Sequence, residues 1–149
     1  MKRWIILAVL LCIPALSACV PQEQMEEPSE RNVVTITVPD GVTKATIRVP
    51  DGRDIYLCHY TGKEGAESLV ALLNRVGERP ERLEEDGPYA GHEYEIVLFC
   101  ADGSEETYFW SDPYVRQGDG PWCELPYEKD GWLGPWLQEH KPDEISKVN

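Results

Sequence analysis

The sequence predicts an α+β domain in which an antiparallel sheet of about five or six strands packs one principal helix on one face. Several short segments alternate apolar and polar residues, a pattern typical of half-buried strands. One longer segment instead carries apolar residues at helical spacing. Turn-forming Asp-Gly pairs separate neighbouring strand segments. The chain has 149 residues, which is enough for one such domain, predicted over residues 32–149.

Two similar segments open the predicted domain, TITVPDG at 35–41 and TIRVPDG at 46–52. Each ends in Pro-Asp-Gly, which favours a turn because proline presets φ and glycine accepts positive φ. We predict one strand around each segment and a third at 54–60, forming a meander. The apolar faces of the first two strands are formed by Val34, Ile36, Val38, Ala45, Ile47 and Val49.

Residues 61–77 predict the principal helix. Thr61 and Glu64 match a capping box, and Gly77 is placed to end the helix. The predicted buried face has helical spacing and consists of Ala66, Leu69, Val70, Leu73 and Val76. The charged segment at 78–91 contains two prolines and two glycines and predicts a loop.

The second half of the domain begins with strands predicted at 93–100 and 105–110, joined by a hairpin turn at 101–104. Residues 111–121 predict a loop, and residues 122–127 a short edge strand. A short terminal helix is predicted at 132–140, where Pro135 is tolerated because it falls near the first turn.

The chain is strongly acidic, with a formal net charge of −13 at pH 7. Nucleic-acid binding depends on clustered Lys and Arg side chains that neutralise phosphates. Adhesion of the folded body to anionic lipids depends on the same charges. The composition therefore argues against both kinds of partner.

The N-terminal residues have the parts of an export signal in order. Lys2 and Arg3 precede an apolar run at 4–13, which is too short to cross a bilayer. Leu16-Ser17-Ala18-Cys19 follows and resembles the lipobox of bacterial lipoproteins. The resemblance implies a signal peptide at 1–18, a diacylglyceryl group on Cys19 and a location on the extracytoplasmic face of the cell membrane. The alternative is a plain signal peptide with Cys19 as an incidental thiol.

Residues 19–31 are polar and acidic and include two prolines. Such a composition does not bury enough apolar surface to fold, so we predict a flexible linker between the lipid and the domain. The succession of strands, helix, hairpin and aromatic tail in the domain is similar to that of small uncharacterised domains on lipoproteins of Gram-positive bacteria.

Three cysteines remain after the predicted processing: Cys58, Cys100 and Cys123. They contain no CxxC pair, so a zinc ribbon or a thioredoxin-type site is not supported. One disulfide with one thiol and three buried thiols are both compatible with the sequence. Cys58 and His59 do not form a nucleophile–base pair on a regular strand, because adjacent residues point to opposite faces.

No motif for catalysis, for a metal or for a cofactor stands out. The sequence has no GxSxG or HExxH motif and no calcium loop, and the histidines His59, His92 and His140 are interpreted as surface residues. Acidic residues are plentiful, but sequence spacing does not show whether two of them face each other as in a glycosidase. We therefore expect a protein without enzymatic activity and without a cofactor.

The C-terminal third is rich in aromatic residues placed among Gly, Pro and Asp, and Gly-Pro-Trp occurs twice. Such residues either complete the core or form a binding surface, since Trp and Tyr dominate interaction hot spots. The candidate ligand face consists of Trp110, Tyr114, Trp122, Trp132 and Trp136.

The function expected from these features is that of a membrane-tethered, non-catalytic binding module. Its partner would be a cell-wall glycan or an envelope protein. One alternative is an inhibitor of an extracellular enzyme that presents the loop at 111–121. Another is a hydrolase that uses dispersed carboxylates.

Overall fold

The structure, a computed structural model, describes residues 35–77, 81–82 and 93–148. The predicted signal peptide, the lipid anchor at Cys19, the linker and nearly all of the loop at 78–91 lie outside these residues. The described strands are β1 (Val42–Asp51), β2 (Asp54–Thr61), β3 (Glu81–Arg82), β4 (Tyr94–Cys100), β5 (Glu105–Ser111), β6 (Tyr114–Gln117), β7 (Cys123–Glu124) and β8 (Glu144–Val148). The helices are α1 (Ser68–Gly77), which continues a π-helical turn (Lys63–Glu67), and α2 (Leu133–Glu139).

All of these strands join one antiparallel sheet in the order β3-β7-β6-β5-β4-β1-β2-β8. The predicted α+β class and antiparallel sheet are confirmed, but the described sheet has eight strands rather than five or six. Strands β3, β6 and β8 were not predicted. They have two to five residues each, too few for alternation to stand out from the surrounding sequence.

The prediction of a strand in the first of the two similar segments, TITVPDG at 35–41, is wrong. Residues 35–39 belong to no strand, although Ile36 is buried as the alternation implies. Side chains take the hydrogen bonds that a strand would supply: the Thr37 amide donates to Gln117 Oε1 at 2.9 Å, and the Tyr108 hydroxyl donates to the Thr37 carbonyl at 2.6 Å. The second segment forms β1, with Gly52 at φ 61° in the turn to β2.

One face of the sheet forms the core together with both helices. The buried side chains of the strands on that face are Ala45, Ile47, Cys58, Tyr60, Ile96, Leu98, Tyr108, Trp110, Val115 and Cys123. The buried side chains that meet them from the helical segments are Ala66, Leu69, Leu72, Leu73, Val76, Leu133 and Trp136. Cys58 and Cys100 are both buried and free, so the disulfide alternative does not apply to that pair.

The principal helix is present, but it begins differently from the prediction. Thr61 is the last residue of β2 and donates its hydroxyl to Asp143, and no side chain caps the helix at Gly62. The Glu67 amide donates to the Gly62 carbonyl, five residues earlier, at 3.1 Å, which is the hydrogen bond characteristic of a π-helix. The capping-box prediction is therefore wrong, because Thr61 belongs to strand β2 and its hydroxyl is bonded to Asp143 instead of to the start of the helix.

The terminal helix predicted at 132–140 is present as α2, and the segment predicted as a loop at 111–121 contains β6. Strand β6 pairs with β5 through Tyr108↔Gln117 to Ser111↔Tyr114, which leaves turns at 112–113 and 118–120. The loop prediction is wrong at 114–117. Both turns are rich in aspartate, proline or glycine, and these residues predict a loop even though a strand of four residues lies between the turns.

Candidate functional site

A groove of about 590 Å³ lies between α1, α2 and the segment at 128–131. We call it the α1–α2 groove. Its lining includes Ser68, Leu72, Arg75, Glu128, Lys129, Asp130, Trp132, Pro135, Trp136 and Glu139. The volume lies within the usual range for small-molecule sites, about 300–1,000 Å³. The groove therefore has the size to hold a compact ligand.

Trp132 presents a fixed aromatic surface in this groove. Its indole N–H donates to the Pro126 carbonyl at 2.9 Å, which restrains the half-buried ring. The guanidinium carbon of Arg75 lies 4.9 Å from the ring centroid, within cation–π range. The guanidinium thus lies over one face of the indole, and the two groups together form part of the wall of the groove.

Trp136 lies at the base of the groove and is only 6% exposed. Its ring makes an edge-to-face contact with Tyr60 at 5.0 Å and stacks on His140 at 4.4 Å, with an interplanar angle of 8°. Its indole N–H donates to Ser68 Oγ at 3.0 Å. These contacts join α2 to both β2 and α1.

Ser68 and His140 form a direct hydrogen bond, with 2.8 Å between Oγ and Nε2. The other ring nitrogen of His140, Nδ1, lies 2.9 Å from the Trp136 carbonyl oxygen. A carbonyl only accepts, so the contact assigns the proton to Nδ1. Nε2 then accepts the hydroxyl proton of Ser68.

The structure separates the five residues of the predicted ligand face. Trp132 and Trp136 come together in the α1–α2 groove. Trp110 is fully buried in β5 and donates its indole N–H to Asp112, so it belongs to the core and not to a surface. Tyr114 is half-buried in β6, and Trp122 is 8% exposed beside β6.

Trp122 takes part in a second aromatic cluster, on the sheet face opposite the helices. The Arg116 guanidinium carbon lies 4.9 Å from the Trp122 ring and 4.4 Å from the Phe109 ring. Glu93 is 3.8 Å from the same guanidinium group. Both rings and the carboxylate therefore contact Arg116, but the Nε of Arg116 is buried and has no hydrogen-bond partner among the described residues.

Burial changes the acidity of two groups on strand β2. Removal from water, together with the charge of the nearby Cys58 thiolate, raises the pKa of Tyr60 to about 12. Burial also raises the pKa of the Cys58 thiol. Both groups are therefore protonated and uncharged at neutral pH.

The acidic residues of the groove offer no support for the carboxylate hydrolase alternative. Glu128, Asp130 and Glu139 are exposed, whereas the acid of a glycosidase is set in apolar surroundings. His92 lies outside the described residues. No group of three His, Cys, Asp or Glu side chains arranged to hold a metal ion occurs in the described part of the chain.

Sequence reasoning identified Trp132 and Trp136 but missed Ser68, Arg75, Lys129 and His140. Ser68 and His140 are 72 positions apart, so no local spacing links them. Ser68 faces α2 only because α2 packs across α1, which is a property of the tertiary fold. The aromatic spacing was the one local signal that indicated this region.

No protein-family model, curated protein or solved structure matches this chain.

Proposed function

We propose that the protein is a lipoprotein domain, tethered through Cys19 on the extracytoplasmic face of the membrane, that binds a cell-wall glycan in the α1–α2 groove. The observation that carries the proposal is the half-buried indole of Trp132 beside Arg75 inside a groove of about 590 Å³. Aromatic anchors with a few polar neighbours are typical of binding sites.

The charges of the groove favour a neutral, polyhydroxylated ligand. Two basic residues, Arg75 and Lys129, face three acidic ones, Glu128, Asp130 and Glu139. Such a mixture offers donors and acceptors for hydroxyl groups but no strong net field for an anion or a cation. The faces of sugar rings expose C–H groups that pack against an indole, which Trp132 supplies.

The tether is inferred from the lipobox resemblance at Leu16–Cys19. No helix in the described part of the chain combines the length and the apolar character needed to cross a bilayer. Two or more acyl chains hold a protein stably at a membrane, whereas one chain holds it only marginally. A diacylglyceryl cysteine would therefore keep the domain close to envelope glycans.

The test is calorimetric titration of the full chain in detergent with soluble fragments of cell-wall glycan. Replacing Trp132 by alanine removes the anchor and is expected to weaken binding by at least about 30-fold, the effect of losing a 2 kcal/mol hot spot. Phe99→Ala is the matched control. It also removes an aromatic ring that has a cation over it, since Lys44 Nζ lies 5.5 Å from the Phe99 centroid, but this ring lies on the other sheet face. Equal affinity of wild type and Trp132→Ala would refute the proposal.

A further inference from the structure

Ser68 and His140 have the geometry of a nucleophile and its general base. The Oγ–Nε2 distance of 2.8 Å lies within the hydrogen-bond reach that proton transfer needs. Both side chains are half-buried, and Ser68 lines the α1–α2 groove. A ligand in the groove can therefore reach the serine hydroxyl.

His140 is held in the orientation that a general base needs. A histidine acts as a base toward serine only when Nε2 is unprotonated and the ring is held by a partner at Nδ1. The Trp136 carbonyl provides that partner at 2.9 Å, and the Trp136 ring stacks on the imidazole at 4.4 Å. Trp136 is thus a positioning residue that fixes both the tautomer and the plane of the ring.

The backbone ahead of Ser68 is unusual in a way that fits this role. Ser68 directly follows the π-helical turn Lys63–Glu67. Such turns are rare and occur frequently at functional sites. The Trp136 indole N–H, 3.0 Å from Oγ, also fixes the position of the hydroxyl from the side of α2.

We propose that Ser68 and His140 form a hydrolytic pair that takes an acyl group from an ester in the α1–α2 groove. The inference goes beyond the binding function, and it rests on the proposed function only in using the same groove. It also revises the expectation of a protein without enzymatic activity, since motif searches do not detect residues 72 positions apart.

In the first step, Ser68 Oγ attacks the carbonyl carbon of the ester while its proton passes to Nε2 of His140. The bond from that carbon to the alcohol oxygen breaks, the alcohol takes the proton from Nε2, and the acyl group remains on Oγ. A water molecule then adds to the acyl carbon and gives a proton to Nε2. The bond to Oγ breaks, Oγ recovers that proton, and the carboxylic acid leaves.

The test is the reaction of the full chain in detergent with a fluorophosphonate, which phosphonylates activated serines and needs no glycan. We expect mass spectrometry to place the label on Ser68 and to find none there in Ser68→Ala. His140→Phe keeps a ring to stack on Trp136 but lacks the base, and labelling is expected to fall by about 10²-fold or more. Ser104→Ala is the matched control, since its hydroxyl bonds to Asp102 in a turn.

A second measurement uses the wild type alone, so it does not depend on the folding of any variant. An aryl acetate should transfer its acetyl group to Ser68 and release the phenol. A purely structural Ser68–His140 bond predicts neither the label nor the acetyl group, and the absence of both from wild type would overturn the proposal. Glycan binding by the wild type, measured in parallel, reports on the binding function separately.

Discussion

The carboxylate of Asp112 joins the core residue Trp110 to helix α2. Oδ1 accepts the indole N–H of Trp110 at 2.7 Å and the Trp132 amide at 3.2 Å, and Oδ2 accepts the Leu133 amide at 3.2 Å. The start of α2 has no capping side chain of its own at Trp132. Asp112 therefore caps α2 from the turn after β5 and sets the position of one wall of the α1–α2 groove.

Asp112→Ala is expected to lower the free energy of unfolding by about 2–4 kcal/mol. The buried indole N–H of Trp110 would lose its partner, which costs about 1–3 kcal/mol, and the lost cap adds about 1 kcal/mol. Urea unfolding followed by tryptophan fluorescence measures the change. The control is Asp119→Ala, at an exposed turn position, with an expected change within about 0.5 kcal/mol. Similar losses in both variants would contradict the capping role.

Gly77 and Gly134 make a matched pair of helical glycines. A Cβ added at Gly77 would lie 2.7 Å from the Ile36 carbonyl oxygen, whereas one at Gly134 would meet nothing within 4 Å. We expect Gly77→Ala to destabilise the fold by about 1–3 kcal/mol through overpacking. Gly134→Ala should instead leave stability within about 0.5 kcal/mol of wild type, because the helix preference of alanine is opposed by Pro135, which disfavours the helical region for the residue before it. Thermal denaturation of the two variants measures the difference, and a stabilised Gly77→Ala would be the contrary result.

Asp143 fastens the C-terminal strand to the sheet. Its Oδ2 accepts both the amide and the hydroxyl of Thr61 at 2.7 Å, and its own amide donates to the His59 carbonyl. We expect Asp143→Ala to increase amide hydrogen exchange in β8 and along its partner β2. Asp54→Ala serves as control, because it removes only the half-exposed ion pair with Lys147, and such pairs contribute little. Equal exchange in the two variants would refute the role.

Stability should fall at alkaline pH because of Tyr60. Its pKa is about 12 in the folded protein, raised by burial, against about 10 in the unfolded chain. The neutral phenol favours the folded state fully below about pH 10, and this contribution is lost as the pH rises from 10 to 12, by about 1.4 kcal/mol per unit. Urea unfolding at successive pH values measures the loss. Tyr60→Phe should show a shallower decline, and parallel curves would contradict the assignment.

The sequence was informative wherever a long segment buries one face against the core. Strands β1, β2, β4 and β5 and the apolar face of the principal helix follow directly from their residue periods. The errors at residues 35–39 and at Thr61 share one cause. In both places, side chains from distant parts of the chain, Gln117 and Asp143, take backbone hydrogen bonds that a local pattern would assign elsewhere.

The candidate site was less accessible to sequence reasoning. Composition indicated the aromatic C-terminal third, but not which rings line a groove and which fill the core. Trp110 and Trp132 were both assigned to the candidate ligand face, yet Trp110 is fully buried and Trp132 half-buried. The difference arises from position: Trp110 lies on the inner face of a central strand, whereas Trp132 lies at the start of a short helix.

The groove is built from two helices that are far apart in the chain, with the described strands β3 to β7 between them. A polypeptide that emerges N-terminus first from a ribosome presents α1 long before α2 arrives beside it. Truncation anywhere before Leu133 would remove one wall completely. A ligand specific for the groove would therefore distinguish the finished protein from every such shorter fragment, and it would report on completion of folding.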